Sequence, residues 1–372
     1  MDVLDLFLQL VKIPSPLYKV GAIQEFLKGI FNNYPKAEII MDEAGSEHPD
    51  FEAGNMLINI PATIGYEHLP VLAVEAHVDT VKEDNPIEPI VHLKKVTSDG
   101  TTILGADDKA GVAAICIAME LLKDSSHGPI QIIFSVGEEA SMYGMSGFDF
   151  KKIEAKQILC IDGFEPTHII NACAGKIKYR ALFIGKEAHG AEPEKANNAI
   201  ALASVAIADC ILRGLMDRTK SGVIHNVAEI QSHEGPSDFP SNNTIPGACS
   251  VSGELRGLDK VSLNESFKKI QKTMHQAVED FNGSVNFEIL IPYEPFNLVN
   301  SEIVQRLIKK NPDKDFKTES CDGSTHANIY NQYGIESVVI GAGCRNPHAK
   351  NEYLVIAELR EVTEIILNYL KA

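Results

Sequence analysis

Between Leu69 and Asp162 the chain alternates short, almost wholly apolar runs with segments of helical character, and this alternation limits the fold more than any other feature. LPVLAVEAHVDT, GPIQIIFSV and AKQILCIDG read as strands, and GADDKAGVAAICIAMELLKD reads as a helix that is apolar on nearly every side. Strands without a polar face need cover on both sides, which is the situation in an open α/β sheet. Such sheets take their ligands beyond the carboxyl ends of the strands. The candidate strands and turns here end in acids or histidine: His77 and Asp79, Asp107 and Asp108, Glu138 and Glu139, and Asp162.

The pattern changes near Ala174. KIKYRALFIG, NAIALASVAIADCILRGL, GVIHNVAEIQSH, ACSVSGELRG, DKVSLNESFKKIQKTMHQAVEDF and SVNFEILIPY follow in the order βαββαβ, the split arrangement of a small α/β sandwich. After them SEIVQRLIKK, HANIYNQYG and ESVVIGAG resume the first pattern. At 372 residues the chain is long enough for two or three domains. The expected architecture is α/β: a discontinuous domain built from 1–173 and 292–372, with a mixed sheet covered by helices on both faces, and an inserted βαββαβ domain over 174–291.

A formal net charge of −17 argues against nucleic acid or an anionic membrane as a partner. No apolar run approaches the roughly 20 residues of a membrane span. The N-terminus, MDVLDLFLQLVKIPSP, begins with an acid where a signal peptide carries positive charge, so a soluble, unprocessed, cytoplasmic protein is expected. Within it Val3, Leu6, Phe7, Leu10 and Val11 mark one face of a helix that Pro14 and Pro16 end. The seven cysteines are scattered and form no CxxC pair, which favours reduced, buried thiols over disulfides or a thiolate metal site.

Each polar pair at the strand ends has an ordinary reading and a chemical one. His77 and Asp79 are two apart and can share a strand face, where a carboxylate fixes the tautomer of an imidazole, although a packed core histidine fits as well. Asp107 and Asp108 follow Gly105 at a helix start and suit capping. Glu138 and Glu139 read by themselves as a solvated loop edge. Converging at one sheet edge, however, these carboxylates would repel one another and take up protons unless cations sat among them. Histidines mixed with carboxylates suit zinc, cobalt or manganese, and two such ions can share one carboxylate and a bridging water.

AHVDTV (76–81), GADDKAG (105–111), GEE (137–139), CIDG (160–163) and PHAKNEY (347–353) resemble, in order and over nearly the whole chain, the motifs of the two-zinc exopeptidase and amidohydrolase family. That family includes peptidase T, aminoacylases and succinyl-diaminopimelate desuccinylase, and the GADDKAG and IDG forms are most similar to peptidase T and its relatives. The resemblance implies two divalent ions, zinc or else cobalt or manganese. It gives His77 and Asp162 to one ion, Glu139 and His348 to the other, and Asp107 to both. Asp79 matches the residue that orients His77, and Asp108 is left to cap the helix or support its loop. Glu138 matches the general base that takes a proton from the bridging water and passes it to the leaving amine.

The resemblance extends to the inserted domain, which corresponds to a lid through which relatives pair as homodimers. His189 matches the lid histidine that contacts the substrate or its oxyanion. Asn243 and Arg256 stand where relatives grip the substrate's carboxylate or backbone, a task suited to the arginine fork, with a salt bridge inside the lid as the alternative for Arg256. His326 departs from the aspartate common in relatives and reads either as pocket-shaping or as a packed, hydrogen-bonded histidine. The expected activity is aminopeptidase cleavage of tripeptides or other short peptides. An N-acyl-amino-acid deacylase, a dipeptidase and a metal-binding but inactive scaffold are the rivals.

Overall fold

The computed structural model describes residues 2–83, 85–140, 142–232, 243–299 and 301–372. The chain divides into two compact units, one of Met1–Ala172, Leu298–Ser320 and Thr325–Ala372, the other of Cys173–Asn297 and Cys321–Ser324.

In the first unit the sheet runs Glu38–Met41, Met56–Ile60, Ile130–Ser135, Leu72–His77, Gln157–Gly163, Glu336–Gly341, His168–Cys173, and Lys317–Cys321 pairs with the last of these. Its four middle strands are parallel. The outer ones pair antiparallel, so the sheet is mixed. Every residue of Leu72–His77 and of Ile130–Ser135 is buried, the polar Glu75, His77, Gln131 and Ser135 included.

Alternate residues along Leu72–His77 show what covers each face. Val74 and Ala76 join a core with Leu6, Phe7, Val112, Ile115, Leu359 and Ile366, which come from the helices Val3–Leu10, Ala106–Leu122 and Ile356–Leu370. Glu75 turns the other way and meets His326 at the head of the His326–Gln332 helix. Helices therefore lie on both faces. The first helix buries Val3, Leu6, Phe7 and Leu10, the stripe its spacing predicts, at about 2 kcal/mol per large side chain.

The second unit is an antiparallel sheet in the order Asp217–Arg218, Ile224–Ser232, Ala248–Gly257, Gly175–Ile184, Ser284–Tyr293, with the helices Ala199–Leu212 and Lys260–Glu279. Along Gly175–Ile184 the residues Ile177, Tyr179, Ala181 and Phe183 alternate inward and pack with Leu202 and Ala206 of one helix and Phe267 and Met274 of the other. Asn198 and Asp259 cap the two helices through backbone N–H groups one turn in. Cys116, Cys160, Cys210, Cys249 and Cys344 are buried thiols. No helix among the described residues is long and apolar enough to cross a membrane.

Candidate metal centre

Three parallel strands of the first unit deliver their carboxyl ends to one edge. Leu72–His77 ends in His77, Gln157–Gly163 carries Asp162, and the chain leaving Ile130–Ser135 turns at Gly137 (φ +69°) into Glu138 and Glu139. The fourth contribution comes from the head of Ala106–Leu122, where Asp107 and Asp108 depart from helical backbone angles and the peptide between them is cis. Asp108 Oδ1 accepts the Gly111 N–H at 3.0 Å, so Asp108 caps the helix. Only glycine fits at position 111, since a Cβ there would come within 2.5 Å of Asp108 Oδ1 and 2.6 Å of the Ile161 carbonyl.

With Asp108 occupied as the cap, the Asp107 side chain stands in the middle of the cluster. Its Oδ1 lies 3.1 Å from His77 Nε2 and its Oδ2 lies 3.2 Å from His348 Nε2. Asp162 Oδ1 joins the His77 side at 3.8 Å, and Glu139 Oε1 joins the His348 side at 2.8 Å. Donor atoms of His77, Asp107 and Glu139 all fall within 4.8 Å of one another. Ligands held at ~2.0 Å around a tetrahedral cation are about 3.3 Å apart, so the set has the spacing of a metal site.

The chemistry of the donors agrees. His77 Nδ1 lies 2.9 Å from the Asp79 carbonyl oxygen, which can only accept, so Nδ1 carries the proton and donates it. In the neutral ring Nε2 is then a lone pair facing the carboxylate of Asp107, an arrangement that calls for a proton or a cation between them. Burial would lower the His77 pKa, but Asp107, Asp79 and Asp162 hold it well above the usual imidazole range. Hydrogen bonds to Asp107 and Glu139 push His348 up to about 10. Burial would raise Asp107, yet the two histidines pull it below the ordinary carboxylate range. Burial, and then the charge of Glu138, drive Asp162 well above that range. Burial likewise pushes Glu138 up to about 7, with Glu139 and Asp107 adding to the effect and His77 and His326 opposing it. Buried acids and imidazoles this close together set one another's charge, the electrostatics expected where donors of a metal-binding type converge.

Asp79 stands against His77, but the closest contact is not made by its carboxylate. The main-chain carbonyl makes that contact, while the carboxylate stays 3.6 Å from Nδ1. Its two oxygens instead accept the backbone N–H of Glu138 at 3.2 Å and of Glu139 at 3.1 Å. The turn that aims the adjacent glutamates is thereby tied to the strand that carries His77.

In the second unit His189 and Asn243 are brought together. Ala188–His189 pairs with Thr244–Ile245, and the Gly190 N–H donates to the Asn243 carbonyl at 2.6 Å. Arg256 stands apart from them, at the far end of Ala248–Gly257, about 26 Å along the strand from Ala248 at ~3.3 Å per residue. Its guanidinium binds Glu254 Oε1 at 2.8 Å, the intra-unit salt bridge that the sequence left as an alternative.

Two features escaped the sequence. Glu75 is a buried acid whose Oε1 accepts from Ser135 Oγ at 2.5 Å and lies 2.9 Å from His326 Nδ1. His326 is therefore packed and hydrogen-bonded on that side, while its buried Nε2 has no partner among the described residues. A lone glutamate inside LAVEAH was the available signal. The other is Glu352, whose buried carboxylate collects the backbone N–H groups of Leu104, Gly105, Ala106 and Asp107. It lies four residues after His348 within a motif already singled out.

Comparison with known proteins places these features in context. The family described as Peptidase family M20/M25/M40 matches residues 73–372. The uncharacterized protein YqjE of Bacillus subtilis is 31% identical over 374 residues, covering 98% of this chain and 96% of that protein. Among solved structures, a tripeptidase from Staphylococcus aureus superposes with a TM-score of 0.88 at 27% identity, over 99% of this chain and 97% of its own. The aminopeptidase PepT from Bacillus cereus gives a TM-score of 0.86 at 26% identity, with the same two coverages, 99% and 97%.

Proposed function

The chain belongs to peptidase family M20/M25/M40 and is a metallopeptidase, and from that premise we propose that it uses two divalent ions to release the N-terminal residue of tripeptides and other short peptides. The observation that carries the two-ion reading is Asp107, whose two oxygens face two different histidines, His77 and His348. His77 and Asp162 would hold one ion and Glu139 and His348 the other, with Asp107 shared. Zinc is the first candidate, with cobalt and manganese suited to the same donors. The tripeptidase and the aminopeptidase of the same fold support the substrate class.

Bound ions would lower the pKa of a water and polarise the scissile carbonyl. The chain's own part begins with Glu138, buried and raised toward neutrality, which takes the proton of the attacking water and returns it to the leaving amine. Glu139, its neighbour on the turn, is engaged by His348 and leaves Glu138 free for this exchange. Asp79 holds both through the backbone. His189, Asn243 and Arg256 are proposed to bind the substrate, and substitution of each should raise KM more than it lowers kcat. A homodimer formed through the second unit is part of the proposal. The helix Ala199–Leu212 leaves Ile200, Val205, Ile211 and Leu212 exposed, and light scattering at micromolar concentration reads the mass directly.

The test is hydrolysis of a tripeptide panel after reconstitution with zinc, cobalt or manganese, with N-terminally blocked peptides and acyl amino acids alongside. Release of the first residue from free peptides alone supports the reading. Turnover confined to acyl amino acids replaces it with deacylation, and an inert protein holding two ions points to a scaffold.

A further inference from the structure

His348 sits in the connection between two short antiparallel strands, Cys344–Arg345 and Tyr353–Val355, and Glu352 immediately precedes the second. That strand pairs in turn with Lys95–Thr97, from which the chain runs through residues 98–105 to Asp107. Glu352 closes this circuit. Its Oε2 accepts from Leu104 at 2.7 Å and Gly105 at 2.9 Å, and its Oε1 accepts from Ala106 at 2.7 Å and Asp107 at 3.2 Å. Four consecutive N–H groups converge on one carboxylate because Gly105 takes a left-handed conformation (φ +70°) that curls the backbone into an anion-binding hollow. The side chain is 1% exposed, so these bonds form away from competing water.

A carboxylate this deeply buried usually meets a cation or a ligand. Here the buried Lys109 is near enough for the two charges to act on each other, but the direct hydrogen bonds come chiefly from the backbone of the segment that presents Asp107, while the residue four positions earlier, His348, lies 3.2 Å from the Asp107 carboxylate. We propose that Glu352 is a positioning residue that fixes the separation of Asp107 and His348, and so sets the affinity of the ion those two residues share. The proposal rests on the two-ion reading of the cluster. Charge and reach both matter: in Glu352→Gln one oxygen becomes an amide whose N–H groups face backbone N–H donors, and in Glu352→Asp the carboxylate retreats by one methylene.

The test is cobalt(II) titration of metal-free protein, followed by its visible absorption bands, with kcat, KM and thermal melting for wild type, E352Q, E352D and D107N. Expected are a folded E352Q whose weaker cobalt step is lost or weakened about 10- to 100-fold, with kcat reduced and KM nearly unchanged, and an intermediate E352D. Wild-type cobalt affinity in folded E352Q or E352D overturns the proposal, provided D107N loses its cobalt step. If D107N also binds as wild type, the reading of the cluster fails first. If neither Glu352 variant folds, Glu352 serves stability alone and the proposal is likewise overturned.

Discussion

Asp79 holds Glu139 by its main chain: the Asp79 Oδ2 atom accepts the Glu139 N–H at 3.1 Å, and Oδ1 does the same for Glu138 at 3.2 Å. The same residue's carbonyl oxygen lies 2.9 Å from His77 Nδ1. One residue thus sets the tautomer of a histidine on one strand and the aim of two glutamates after the next.

Asp79→Asn should damage the site without removing it. The amide keeps one acceptor and turns a donor toward a backbone N–H, which costs about 1–3 kcal/mol of stability for the unmet group. Metal affinity should fall about 10- to 100-fold. Urea melts and metal titration read the two effects separately, and an unchanged affinity would remove Asp79 from the site's supporting structure.

Glu138→Gln should fold and bind metal yet lose about 100- to 10,000-fold in kcat. The base works deprotonated, so the wild-type rate rises with pH through its pKa. Burial, against the opposing charges of His77 and His326 and with those of Glu139 and Asp107, pushes that value up to about 7, and cations bound beside it would bring the limb lower. A pH profile of kcat/KM should therefore show an acid limb below 7 that Glu138→Gln lacks.

Gly111→Ala presses a methyl group against Asp108 Oδ1 and the Ile161 carbonyl, at 2.5 and 2.6 Å. Neither neighbour is the loose end of a flexible chain. A loss of about 1–3 kcal/mol in unfolding free energy is expected, as for other overpacked interiors. A melt within 0.5 kcal/mol of wild type, roughly the level of a neutral surface change, would show that the helix head yields more readily than its contacts suggest.

Lys109 gives a pH signature to stability. It is fully buried, donates to the Ile13 carbonyl at 2.7 Å, and burial drives it down to about 7 against the opposing charge of Glu352. Between that value and the unfolded pKa near 10.4 the unfolded chain binds more protons than the folded one, so stability rises with pH, by at most about 1.4 kcal/mol per unit from this group. The contribution is fully present above the unfolded pKa and is lost as pH falls through the folded one. Relative to Lys109→Met, the wild type should gain stability between pH 7 and 9, and parallel curves for the two proteins would contradict the assignment.

Much of this was legible in the sequence because it is periodic or local. The buried strands announced themselves by apolar runs, and His77, Glu138, Glu139 and Asp162 stood out as the polar residues that end them. What stayed hidden depends on partners far along the chain. Glu352 meets residues 245 to 248 positions away, and no local pattern marks a glutamate that will collect four backbone donors. His326 and Glu75 are 251 positions apart. Asp79 does stand at His77, but the close contact is made by its backbone carbonyl, which a side-chain pattern cannot show. For Arg256 the near partner was two residues off, at Glu254 on the same strand face.

The most direct test is anomalous diffraction at the zinc edge from crystals of the zinc-loaded protein. Two peaks are expected on either side of the Asp107 carboxylate, one joined by His77 and Asp162 and the other by Glu139 and His348. A single peak, or two that do not share Asp107, would overturn the two-ion site.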